Sequence, residues 1–335
     1  MKRSEIPEQL ARAKRTAAEQ LLTVGRAPPR HPGWVLRTHP DHNVVGVGIG
    51  RKIKRGKPTR TRCVRIYVEH KVPRHLIRPD HLVPADFGGV VTDVIEAGRF
   101  RAYLPSVPAG QRRLRPAWPG CSIGFQFPQA QAGELMAGTL GAVVTADDVS
   151  YILSNNHVLA NENALPAGTP IFQPGPLDGG SAENDPIATL ARFVPLETDK
   201  PNRVDCALAT ILDANAVAPA ILPKIGRLKG TEPIEAVEGM QIEKTGRATG
   251  YTVGTVFDVS ATVPIDFELG SLIFEDQILI RSQGAAFSDG GDSGSLIVDV
   301  SSGRATGLLV GGSPQFAIAN HIGEVLQALS VKLVC

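Results

Sequence analysis

Residues 290–295 read Gly-Gly-Asp-Ser-Gly-Ser. A serine that attacks a carbonyl needs a base to take its proton and backbone N–H groups aimed at the oxyanion that forms. A glycine-rich turn supplies the second requirement. Gly291 has backbone angles open to it that are closed to other residues, so the N–H groups of Gly291 and Ser293 can converge on one point. Gly294 lets the following strand pass close to a substrate. The base has few candidates. Of eight histidines, only His157 and His321 lie beyond residue 115. His157 follows Tyr151-Ile152-Leu153-Ser154-Asn155-Asn156, an apolar strand that turns polar at its exit. His321 follows Ala319-Asn320 and is expected to open a C-terminal helix instead. Asp205 sits in Val204-Asp205-Cys206-Ala207-Leu208, a carboxylate embedded in an apolar strand, which is costly unless paired. An imidazole N–H is a natural partner. The pair would fix the tautomer that turns the other ring nitrogen towards Ser293.

The order His157, Asp205, Ser293, with gaps of 48 and 88 residues, separates this arrangement from other triad architectures. On Ser154-Asn155-Asn156-His157-Val158, Val204-Asp205-Cys206-Ala207-Leu208 and Gly291-Asp292-Ser293-Gly294-Ser295, the chain resembles the trypsin-like (chymotrypsin-fold) serine peptidases over residues 117–335. A fourth string, Gly246-Arg247-Ala248-Thr249-Gly250, is similar to one carried by an intracellular branch with bacterial members and the plant NARROW LEAF 1 type. The resemblance implies a double β-barrel with the active site in the cleft between barrels. It implies Ser293 as nucleophile, His157 as general base and then acid, Asp205 as its orienter, and an oxyanion hole from Gly291 and Ser293. It also locates a substrate pocket. The position that is acidic in trypsins is Phe287, and the wall strand, with Leu309, Gly311 and Gly312, lacks the His of glutamate-specific relatives. An apolar or small P1 residue is therefore expected, unless Asp289 enters the pocket and reverses this. Asp292 needs a partner. In relatives made as zymogens this is a new N-terminal amine, which a cut near Arg112-Arg113-Leu114-Arg115 would free here. The preferred expectation is a side-chain or backbone donor in an uncut, active chain.

Length and composition bound the rest. A chain of 335 residues suggests two domains, and 42% hydrophobic content supports a real core. No 18-residue apolar run exists, so no membrane-spanning helix is expected. The N-terminus lacks the apolar core of a signal peptide, so a cytoplasmic location is expected. Cys63, Cys121, Cys206 and Cys335 are scattered, without metal-ligand spacing, and read as small buried thiols. The net charge of +2 hides an asymmetry. Residues 1–115 hold 24 Lys+Arg against 9 Asp+Glu, whereas residues 116–335 hold 11 against 24, balances of +15 and −13. The basic N-terminal part is therefore expected to dock on the acidic remainder and restrict the cleft, and to be removable without loss of solubility.

The pattern along the chain predicts a mainly β barrel or sandwich, which the resemblance makes a chymotrypsin-like double β-barrel, preceded by a small α/β N-terminal module. The divisions are an N-terminal helix within 1–30, a basic α/β module at 38–104, a Pro/Arg linker at 105–116 and a peptidase domain at 117–335. The helix is expected over 4–24, with Ser4 as N-cap and Pro7 in the first turn. Residues 31–41 read as a linker. Strands are expected at 43–50, 62–69 and 90–96, and a helical turn at 75–84. The run Gly46-Val47-Gly48-Ile49-Gly50 lacks dinucleotide-fingerprint spacing and reads as tight sheet packing. Further strands are expected at 138–145, 149–154, 187–194, 204–211, 252–260, 276–281, 295–300 and 305–311, with a closing helix at 321–331. The basic stretch 51–60 reads as a solvated hairpin. Few aromatics lie near it for stacking, which disfavours nucleic acid. The function expected is an intracellular serine endopeptidase acting on protein or peptide, with neither cofactor nor metal. The alternatives are a protein-binding scaffold that uses the protease fold without turnover, and an esterase. The triad order argues against the esterase. Oligomeric state is not legible.

Overall fold

The computed structural model describes residues 2–22, 43–102, 112–127, 135–221, 224–282, 284 and 286–335. The linker expected at 31–41 and most of that at 105–116 lie outside them.

Helix α1 spans Glu8–Leu21 and buries Leu10, Ala13, Ala17 and Leu21 at helical spacing. Its N-cap is Pro7, not Ser4. Ser4 instead gives its N–H and hydroxyl to the Glu235 carboxylate, at 2.8 and 3.0 Å. The helix covers a small sheet of β1 (Val44–Lys54), β2 (Lys57–Val68), β3 (Asp86–Phe87) and β4 (Val90–Glu96). β1 and β2 form a hairpin whose basic tip is exposed, as expected. The glycines of β1 clear space for side chains that cross its face. A Cβ on Gly48 would fall 2.2 Å from the Asp258 carboxylate, and one on Gly50 would fall 2.1 Å from the Arg65 guanidinium. After β4 the chain forms a two-residue strand, β5 (Arg101–Ala102).

Two β-rings follow. The first contains β6 (Ser122–Ile123), β7 (Gly138–Thr139), β8 (Ala142–Ala146), β9 (Val149–Ser154), β10 (Pro170–Phe172), β11 (Pro186–Phe193) and β12 (Ala207–Ile211), with α2 (Asn156–Leu159) after β9. Its six-stranded sheet runs β10-β11-β12-β9-β8 and ends on β19 (Lys332–Leu333). A bridge between Gly124 and Phe172 joins β10 to the β6–β7 pair, which leads back into β8. The second ring contains β13 (Gln241–Gly246), β14 (Gly250–Phe267), β15 (Gly270–Ser282), β16 (Leu296–Asp299), β17 (Ala305–Gly312) and β18 (Phe316–His321). Its order β13-β16-β17-β18-β15-β14 closes through β13–β14 pairing. Each ring has its own apolar core. A third cluster, including Leu153, Cys206, Leu208, Leu296 and Leu308, joins them with helix α3 (Ile322–Leu329). The last strand, β19 (Lys332–Leu333), returns to β8. This is a mainly β, chymotrypsin-like double-barrel fold.

β14 and β15 run far beyond their ring. Their outer halves form an arm, and β1 pairs with it at Val47–Thr262. The N-terminal strands thereby continue the sheet of the second ring. Basic side chains reinforce the junction. Arg3 and Lys14 reach Asp276, at 3.2 and 3.0 Å, and Arg62 and Arg65 reach Glu238, at 3.0 and 3.1 Å.

Candidate active site

His157 lies in α2, the single turn that ends β9, and Asp205 lies just before β12, the neighbouring strand. The Asp205 carboxylate is fully buried and satisfied on both oxygens. One accepts backbone N–H groups from Asn156 and His157, at 2.7 and 3.2 Å, and the other is bonded to His157 Nδ1. Its own N–H is held by Asn320 at 2.9 Å, and its carbonyl accepts from Asn155 at 2.7 Å. A carboxylate so fixed gives the imidazole one orientation and one tautomer, with Nδ1 as donor. His157 Nε2 is buried and has no hydrogen-bond partner among the described residues. Burial alone would lower the His157 pKa; the Asp205 charge and hydrogen bond outweigh it and hold the pKa above its ordinary value.

Ser293 lies on the turn before β16, which packs against the first ring at the end of β9. Gly294 packs on Ser154, three residues before His157, so closely that a Cβ there would be 2.2 Å from the Ser154 hydroxyl. Thr139 binds the turn from the first ring: its N–H donates to the Ser293 carbonyl at 2.9 Å and its hydroxyl to the Gly291 carbonyl at 2.8 Å. The Ser293 hydroxyl donates to the Val310 carbonyl at 2.8 Å, so the bond to His157 is not made in this structure. Catalytic bonds of this kind commonly tighten only when substrate is bound. Gly291 has φ +94°, the left-handed region that favours glycine. A Cβ there would also lie 2.2 Å from Arg247 Nη1. Among the described residues no acceptor takes the N–H of Gly291 or of Ser293.

Two buried ion pairs hold this turn. Asp292 accepts from Lys244 Nζ at 3.0 Å, with both side chains fully buried. It also accepts from the Thr249 hydroxyl and from the N–H groups of Ala248, Thr249 and Asp289, at 2.6 to 3.1 Å. An uncut chain therefore satisfies Asp292 with an internal ammonium. Burial lowers the Lys244 pKa, although Asp292 acts against this. Arg247 forms a two-pronged pair with Asp178, at 2.6 and 2.8 Å, across the two rings. Arg113, in the stretch where a cut was considered, is paired with Asp185 at 2.8 Å.

Sequence reasoning missed Lys244 and Asp178. The first had a local signal, because Ile242 and Lys244 face inward while Gln241 and Glu243 face outward or are half-buried, which puts a charge on the apolar side of a strand. Asp178, in Asp178-Gly179-Gly180, carries only a turn signal in the sequence. Two further contacts were also missed. Phe267, at the end of β14, stands edge-on to the His157 ring with centroids 5.8 Å apart. Glu162 accepts the N–H groups of Glu268 and Leu269 at the arm's tip, at 3.1 and 2.8 Å.

The pocket residues separate into two groups. Gly311 and Gly312 end the wall strand β17, beside Val310 and Ser293. Phe287 and Leu309 are 2% and 0% exposed and belong to the core of the second ring, so here they are packing residues and not an open pocket. Gly254 clears room for Phe287: a Cβ there would lie 2.9 Å from the ring. Asp289 is exposed, and its carboxylate accepts the Gly290 N–H at 2.7 Å, folding back on its own turn. His321 ends β18, caps α3 by position and is bonded to the Val259 carbonyl at 2.9 Å, apart from the cleft.

Two β-rings with a His–Asp pair on one and a Gly-Asp-Ser-Gly turn on the other define the architecture of the trypsin-like serine peptidases. Residues 214–320 match the family described as the Nal1 C-terminal domain. Protein NARROW LEAF 1 of Oryza sativa subsp. japonica is 24% identical over 334 residues, covering 85% of this chain, and the chain spans 57% of the length of that relative. Among solved structures, Thermobifida fusca Protease A is 19% identical, with 65% of this chain and 99% of that chain covered and a TM-score of 0.46. Cellulomonas bogoriensis chymotrypsin is 15% identical, with 65% and 98% covered and a TM-score of 0.42.

Proposed function

We propose that the chain is a serine endopeptidase acting on protein or peptide through His157, Asp205 and Ser293. The observation that carries this is the His157–Asp205 pair, which leaves a buried Nε2 with no partner among the described residues, at the end of β9 against which the Ser293 turn packs. In the reaction the Ser293 hydroxyl rotates from the Val310 carbonyl to His157 Nε2, loses its proton there and attacks the scissile carbonyl. The N–H groups of Gly291 and Ser293 receive the oxyanion, each such donor being worth about 3–4 kcal/mol in the transition state. His157 then gives its proton to the leaving amine, and water resolves the acyl-enzyme by the same path. This sequence needs neither metal nor cofactor. Gly311 and Gly312 place neither a side chain nor a charge on the wall strand, which supports an apolar or small P1 residue. The four cysteines are unpaired, which supports a reducing, cytoplasmic setting.

A fluorophosphonate probe tests the reading. Labelling of the full chain that disappears in Ser293→Ala, together with hydrolysis of P1-varied peptides by the unsubstituted chain alone, is the expected result. A chain that takes no label and cleaves no peptide would leave the fold without this chemistry.

A further inference from the structure

β17 has two edges, and both are in use at the cleft. On one side Gly311 and Gly312 pair with Ile318 and Ala317 of β18. On the other they pair, antiparallel, with Ala102 and Arg101 of β5. β5 belongs to the N-terminal part of the chain, some 200 residues earlier in the sequence. It also pairs in parallel with β14 at Asp266, the residue before Phe267, whose ring stands against His157. Two residues therefore join the cleft wall beside Ser293 to the arm that covers the imidazole.

This position matters because of what the wall strand offers. Val310 holds the Ser293 hydroxyl on its carbonyl, and the next two residues carry no side chains. An extended peptide with its carbonyl on Ser293 has this strand edge to add to, main chain to main chain. β5 already makes that addition.

The approach to β5 is firmly built. Ala97 donates its N–H to the Val68 carbonyl at 2.9 Å, and its own carbonyl accepts from the Ser313 hydroxyl at 2.5 Å. Gly98, with φ +67°, turns the chain against Gln315, and Phe100 is fully buried in one cluster with Val310 and Phe316. Arg99 reaches Glu69 at 3.3 Å. The chain then delivers residues 101–102 along β17.

We propose that Arg101–Ala102 acts as an internal occupant of the peptide-binding edge at Gly311–Gly312, so that the cleft is closed to a peptide main chain until this strand leaves. The proposal rests on the peptidase reading for its meaning, but its test does not depend on turnover. A tethered segment acts at an effective concentration on the order of millimolar, so a free peptide with the same contacts competes poorly.

The test uses the full chain carrying Ser293→Ala and a fluorescein-labelled peptide with the sequence of residues 97–102. Arg101→Pro with Ala102→Pro removes both strand N–H donors. Fluorescence anisotropy should show the peptide binding this variant at least about tenfold more tightly than the chain with the native residues 101–102. Equal affinities for the two forms, or no binding to either at millimolar peptide, would overturn the proposal. Hydrogen exchange on the chain with the native strand gives a second reading that needs no folded proline variant. The amides of residues 101–102 should be protected alone and lose protection when saturated with peptide; absent or unchanged protection contradicts the proposal. Fluorophosphonate labelling of Ser293 in the otherwise native and the Arg101→Pro/Ala102→Pro chains is read separately. If neither is labelled while the peptide result holds, the peptidase reading has failed and the occupied edge stands.

Discussion

Asp205 is the fixed point of the site at the scale of single residues. Asn320, Asn155 and the N–H groups of Asn156 and His157 orient it, and it in turn orients the imidazole. The proposed reaction needs neutral His157, and the folded protein holds its pKa above the ordinary 6.5. The rate kcat/KM should therefore rise with pH through an inflection above 6.5. The stabilisation by the charged pair has the opposite sense: it is fully present below the unfolded pKa and is lost as pH rises through the folded one. Asp205→Asn should lower the inflection and reduce kcat by about 10⁴-fold, the scale known for such a change in another triad. A full pH–rate profile of both forms checks this, and an unmoved inflection would remove Asp205 from the role. Lys244 makes a different kind of contribution. Removing one member of a buried pair strands the other, at a cost of about 3–5 kcal/mol. Lys244→Met should lower the stability of the full chain by that amount, and adding Asp292→Asn should recover part of it. Chemical denaturation of the single and double variants measures this. Additive losses would mean that the ammonium is not what satisfies Asp292.

At the scale of elements, the arm of β14 and β15 shows what the sequence could and could not disclose. Strands at 252–260 and 276–281 are legible because Val, Ile and Thr cluster there, but the structure extends them to Gly250–Phe267 and Gly270–Ser282. The added residues hide behind Pro264 and several acidic positions, and the partner that buries Ala261, Val263 and Phe274 comes from residues near 45 and 67. No local pattern carries a pairing across 200 residues. The same reason conceals β5. The strands β13 and β18 were missed because each mixes polar residues into its run, Lys244 in one and Asn320 in the other, for contacts made elsewhere in the fold. His157, Asp205 and Ser293 were legible as candidates because each sits in its own string. The arm makes a prediction of its own. Phe267 shields His157, and burial by itself lowers the imidazole pKa. Phe267→Ala should therefore move the acidic inflection of kcat/KM to higher pH, with a stability loss of about 1–2 kcal/mol for this half-buried ring. An inflection that moves to lower pH would show that Phe267 acts on His157 by some means other than shielding.

The whole molecule puts its charge asymmetry to use at one junction. The sequence suggests a basic module drawn onto an acidic body, and basic side chains from the first 65 residues do meet Asp276, Glu324 and Glu238. The Arg3 and Arg62 pairs are partly exposed, and such pairs contribute at most about 1 kcal/mol each and are screened by salt, whereas Lys14 and Arg65 are buried, where the cost of desolvation offsets much of the attraction. The larger contribution is not electrostatic. β1 adds to the edge of β14, and Val45, Tyr67, Ile95, Ala97 and Phe100 share one apolar core with Val263, Ile265, Leu272, Phe274 and Val310. Removing residues 1–110 would leave these arm residues facing water and β14 with an open edge over several residues. Exposed apolar edges of that kind template aggregation. Charge alone favours a removable unit, whereas the shared sheet leads to the opposite expectation. The truncated chain should be recovered mainly in the insoluble fraction, and raising the salt concentration should not separate the two parts in the full chain. The measurement is the soluble yield of residues 111–335 beside the full chain, followed by size-exclusion chromatography. A soluble, monomeric truncated chain that labels with fluorophosphonate would show that the second ring holds its arm without help, and that the N-terminal strands are an addition to the fold and not part of it.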